Sequence, residues 1–168
     1  MTKLNRKGAV GALLDVYEQT LEDFRAVIGE IPDEALTIVV DPHTTDENCR
    51  SVQRILAHVV HAGYGYATSI HNQRGAHVSR PEKTCHTTLR AYQEELTDMF
   101  AYTVRVFEGL PDHALRQVEE AQKIRTGWKQ TYDIEQLTEH AIVHLLRHGR
   151  QLERIKRDQL AGVVPRTT

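Results

Sequence analysis

The chain is poor in cysteine and aromatic residues, has no long apolar run and carries almost no charge excess. In 168 residues there are two cysteines, one tryptophan and three phenylalanines. Each shortage excludes something. Cys49 and Cys85 form no CxxC pair and are too few for a disulfide framework, so a reducing cytoplasmic location is expected. No stretch reaches the roughly 18 consecutive apolar residues that would span a membrane. The 21 basic and 23 acidic residues are mixed along the chain, for a net charge of −2. Nucleic-acid binding is therefore not expected, because it needs a clustered basic face. The N-terminal Met1-Thr-Lys-Leu-Asn-Arg-Lys7 is basic but leads into an amphipathic pattern, unlike a secretory leader. Enzyme signatures are missing as well: no Glu-x-x-His, H-E-x-x-H, G-x-S-x-G, P-loop or G-x-G-x-x-G. Neither cysteine has a histidine at helical spacing in its own segment, which leaves a cysteine nucleophile without support.

Helical periodicity is abundant. Apolar residues recur at i, i+3, i+4 and i+7 in four stretches. The first runs from Val10 to Ile28 and is closed by Gly29 and Ile31-Pro32; the second runs from Val52 to Ile70 behind Ser51 as N-cap. The third runs from Leu89 to Phe107, opening at Thr87 or Thr88 and stopping at Gly109 and Pro111. The fourth runs from Ile134 to Ile155, with Asp133 and Gln136 spaced as a capping box. Only Leu36-Thr-Ile-Val-Val40 reads as a brief extended piece. The pattern predicts an all-α four-helix bundle, a single domain over residues 1–168, with long connections at about 32–50, 74–86 and 109–132.

Histidine is the residue in excess: there are ten. His140, His144 and His148 fall every fourth residue on the last helix. At 3.6 residues per turn, His148 lies within roughly 20° of the centre of that helix's apolar arc, His144 about 60° away and His140 about 100° away. His140 and His148 are roughly 12 Å apart along the axis and cannot share an ion. His144 and His148 can, but they need a ligand from another helix. His58 on the second helix is the candidate, on the flank of that helix and suited to a site at the bundle rim. His61, His71 and His140 are expected to be surface or hydrogen-bonded residues, and Tyr64 and Tyr66, beyond His58, to line any pocket. Three imidazoles bind Zn²⁺ or Ni²⁺ well and leave coordination positions open. The alternative from these residues is a non-catalytic bundle, metal-binding or stress-associated, that serves to bind partners.

The segment His144-Leu-Leu-Arg-His148-Gly-Arg-Gln151 resembles the signature helix of the DinB/YfiT-like superfamily, which reads His-x-x-x-His-Arg-Gly-Gln, with Arg and Gly exchanged here. Ile55-Leu56-Ala57-His58 resembles the family's second-helix pattern, and the likeness spans about residues 9–156. It implies an up-down-down-up bundle, often a homodimer, with a divalent metal held by His58, His144 and His148. It also implies a metal-dependent enzyme, possible activities including transfer of a low-molecular-weight thiol to a small-molecule electrophile. The exchange leaves Arg150 without an assigned role. Ile142, Val143 and Leu146 fall outside the inward arc of the last helix, which fits self-association unless the 109–132 connection, with Trp128, folds over them.

Overall fold

A computed structural model describes residues 5–162; Met1–Leu4, the start of the basic N-terminal stretch, and Val163–Thr168 lie outside them. Four α-helices dominate these residues: α1 Gly8–Gly29, α2 Val52–Gln73, α3 Leu89–Phe107 and α4 Ile134–Gln159. Their starts follow local chemistry. The hydroxyls of Ser51 and Thr88 accept from the backbone N–H groups of Arg54 and Ala91. Asp133 and Gln136 close a reciprocal capping box at 2.7 and 3.1 Å, so the longest helix has its first orphan donors satisfied.

Cross-helix contacts fix the helix directions. Tyr92 of α3 donates to the Gln53 carbonyl of α2, and Tyr102 lies 3.2 Å from His71, so α2 and α3 run parallel. Phe24 of α1 approaches Gly149 of α4, and Lys156 reaches the Val27 carbonyl, so α1 and α4 are also parallel. Arg25 meets Gln93 while Tyr17 meets Phe100, which makes α1 and α3 antiparallel. Tyr66 lies beside His140 and His58 beside His148, which makes α2 and α4 antiparallel. The order is therefore up-down-down-up. A parallel α2–α3 pair forces the chain back along the bundle, about 33 Å for a 22-residue helix, before α3 begins. That return is why the connection at 74–88 is long.

The core lies among the four helices and includes Tyr17, Ile55, Leu56, Tyr92, Leu96, Met99 and Leu152. Gly63 permits the close approach of α2 and α3, since a Cβ there would sit 2.6 Å from the Met99 sulfur. The 32–50 connection holds two short 3-10 turns and a single antiparallel bridge, Val39 to Ser51, which is all that remains of the extended piece expected at 36–40. The 109–132 connection carries a hairpin that periodicity could not show: β1 Ile124–Arg125 paired with β2 Thr131–Tyr132.

One expectation for α4 needs correction, and one alternative falls away. Ile142 is buried rather than off the core, because α4 packs against both α1 and α2 and its inward arc is wider than one stripe. The 109–132 connection does not bring Trp128 over Val143 and Leu146; Trp128 stacks on His140 instead, and both apolar residues stay exposed at 58 % and 43 %.

Candidate metal centre

His58 comes from the second turn of α2, and His144 and His148 from consecutive turns of the antiparallel α4. One nitrogen from each lies within 4.8 Å of the others. The Nε2 atoms of His58 and His144 are 3.0 Å apart. Two nitrogens on a tetrahedral ion with metal–nitrogen bonds of about 2.05 Å would be roughly 3.3 Å apart. The His58–His144 pair thus fits a divalent ion with a shift of a few tenths of an ångström, His148 offers a third nitrogen within 4.8 Å, and three nitrogens leave room for a further ligand.

Hydrogen bonding orients the third ring. His148 Nδ1 lies 2.8 Å from Gln151 Oε1. An amide oxygen only accepts, so Nδ1 must carry the hydrogen and donate it, leaving Nε2 with its lone pair free. Gln151 is one turn beyond His148 on α4, in the position of the outer partner that metal-ligating imidazoles commonly have.

The site favours neutral imidazoles. Burial first, then the neighbouring His148 and Lys83, pushes His58 down to about 4. Burial followed by His148 and His58 pushes His144 down to about 3. His148 is lowered as well, mainly by burial and partly restored by Gln151. The neutral ring is the form that ligates a metal.

Two cavities meet at His58. The smaller, about 300 Å³, holds all three imidazoles with Asp46, Cys49, Arg147, Gln151 and Arg154. Burial, then Asp46, pushes the Cys49 thiol up, so it stays protonated at neutral pH. The larger, about 800 Å³, runs from His58 past His61 and Tyr66 to Trp128 and His140. Trp128 and His140 stack with centroids 5.3 Å apart and planes 22° from parallel. Tyr66 closes the corner, edge-on to both His140 and His144.

Of the residues expected at the site, His58, His144 and His148 come together, while His140 is held in the aromatic cluster. His61 is partly buried rather than fully at the surface; its Nδ1 is buried with no hydrogen-bond partner. His71 is hydrogen-bonded, to Tyr102. Tyr66 lines the large cavity, but Tyr64 faces Tyr102 on another side. Arg150 lies outside both cavities, on the groove with Val143 and Leu146, whereas Arg147 borders the imidazoles. Sequence reasoning missed Asp46, Cys49 and Gln151. The only available signal was for Gln151, a polar amide one turn past an inward histidine.

No curated protein matches the chain. The family model described as the DinB family matches residues 2–159. With nearly the whole bundle matched and the histidine cluster in place, the chain belongs to the DinB family.

Proposed function

We propose that the protein is a metal-dependent enzyme that transfers a low-molecular-weight thiol to a small electrophile. The observation that carries this reading is the cluster of three neutral, largely buried imidazoles opening onto a cavity. A divalent ion such as Zn²⁺ or Ni²⁺, when bound there, favours ionisation of a thiol at neutral pH. The protein's own residues do the rest. His58, His144 and His148 hold the ion, and Gln151 fixes the tautomer of His148. Arg147 and Arg154 place positive charge at the cavity that a thiol would enter. In the transfer, sulfur forms a bond to the electrophilic carbon, the leaving group departs with its electron pair, and the thiol proton goes to solvent. The free thiols of Cys49 and Cys85 agree with a reducing cytoplasm, and no helix among the described residues is long and apolar enough to cross a membrane.

The test is transfer from several bacterial thiols to a chromogenic electrophile such as 1-chloro-2,4-dinitrobenzene. Turnover is expected with metal-loaded protein and should vanish with His144→Ala or after chelation, while the metal-free protein stays folded. If no thiol supports turnover while chelation lowers the melting temperature by many degrees, the metal is structural. The non-catalytic interaction bundle is then the better account.

Val143 and Leu146 favour a further element of this reading, a homodimer. They are exposed in a groove bordered by Arg147, Arg150, Arg154 and Arg157 against the single carboxylate of Glu153. A symmetric pair would bury the apolar centre while bringing like charges together, so salt should tighten it. Sedimentation at micromolar concentration is expected to show a dimer that Val143→Glu dissociates. A monomer at every concentration and salt, unchanged by the substitution, removes the dimer.

A further inference from the structure

The larger cavity has a charge pattern that the chain as a whole lacks. The sequence carries slightly more acidic than basic residues, yet Arg80, Lys83 and Arg125 all line this cavity and no Asp or Glu does. No ion pair is recorded for any of the three among the described residues. Two are held in place by other contacts. Lys83 donates to the side-chain oxygen of Asn48, and the Arg80 guanidinium lies against α2 where Gly65 leaves room, since a Cβ there would meet its Nη1 at 2.7 Å. After burial, these two charges are the largest causes that hold the His61 imidazole below its usual value, which is what positive charge without a counterion does to a neighbouring base. The same cavity is also lined by aromatic rings, the Trp128–His140 stack cornered by Tyr66.

Three cations and a stacked aromatic pair lining one cavity of about 800 Å³ make a site for one kind of small molecule. We propose that this cavity binds a flat, conjugated molecule carrying an acidic group, a carboxylate or a phosphate. Its conjugated body lies against Trp128 and its acid meets Arg80 and Lys83. This deepens the proposed function, and it rests on that reading only in naming the ligand as the electrophile; His58, common to both cavities, sets the bound molecule next to the metal centre. Binding itself needs no metal.

Trp128 is the only tryptophan in the chain, so its fluorescence reports on this cavity alone. The experiment titrates the protein with 4-nitrobenzoate, 4-nitrophenyl phosphate and the uncharged 4-nitrobenzamide, corrected for absorbed light. Saturable quenching is expected from at least one of the acids, about tenfold or more tighter than from the amide. The tighter acid identifies the acidic group. An Arg80→Gln/Lys83→Gln double variant should bring that acid's affinity down to the amide's. Both side chains are exposed and make no recorded ion pair, so the fold is not at stake. His148→Ala, which disables the metal centre, should leave the quenching unchanged, so failure of the metal reading and failure of this one are separable. Equal affinity for acids and amide, quenching that never saturates, or indifference to the double substitution would overturn the proposal.

Discussion

The affinity of the protein for Zn²⁺ is expected to change by less than about tenfold between pH 7.5 and 5.5. Three histidines with an ordinary pKa near 6.5 would each be about nine-tenths protonated at pH 5.5, and a site built of them would lose about a thousandfold in affinity. Here His58 is held down to about 4 and His144 to about 3, in each case first by burial, and His148 is lowered too. Protons therefore compete weakly with the metal until the solution is much more acidic. The same shifts act on folding in a defined direction. A histidine whose folded pKa is depressed stays neutral in the fold while the unfolded chain takes up protons below about 6.5. The metal-free protein should thus hold this contribution in full above pH 6.5 and lose it progressively as the pH falls towards about 3. Competition against a chromophoric chelator at pH 7.5, 6.5 and 5.5, beside melting curves of the metal-free protein, reads both effects. An affinity that falls with a slope approaching three protons per ion would show that the imidazoles are ordinary and solvent-accessible.

The helices were legible in the sequence because their signals are long and redundant. Ser51, Asp133 with Gln136, and the i, i+3, i+4 stripes specify two starts and four faces, and the structure places the helices within a few residues of the stripes. His144 and His148 were legible for the same reason: one wheel fixes both. His58 was harder to read, since a flank position on α2 matters only once α4 is known to run antiparallel beside it, and single-helix periodicity carries no pairing. Ile142 was misread because the wheel assumed one packing partner for α4, while the fold supplies two. Trp128 could not be placed, because strands of two residues are too short to show alternation and the hairpin depends on the chain reversing at Lys129, whose φ is 68°. Arg80 and Lys83 lie in an irregular connection where spacing says nothing about direction. His144 and His148 were thus readable from helix geometry, His58 less so, and the cavity walls were not.

Substitutions at the centre should form a graded series. His144→Ala and His148→Ala each remove a nitrogen and leave two, too few to hold an ion tightly at an open site, so bound metal is expected to fall to background. Gln151→Leu keeps all three nitrogens but frees the His148 ring to rotate and change tautomer. A cost of about 10- to 100-fold in affinity is expected, with the ion still bound at high metal concentration. His140→Ala, in the aromatic cluster and outside the ligand set, should keep the wild-type metal content. The account stands most directly on elemental analysis of the wild-type protein, His148→Ala and His140→Ala, purified without a tag or a nickel column. It predicts close to one divalent ion per chain in the wild type and in His140→Ala, and almost none in His148→Ala. Equal and negligible metal in all three, or equal loading in all three, would contradict it.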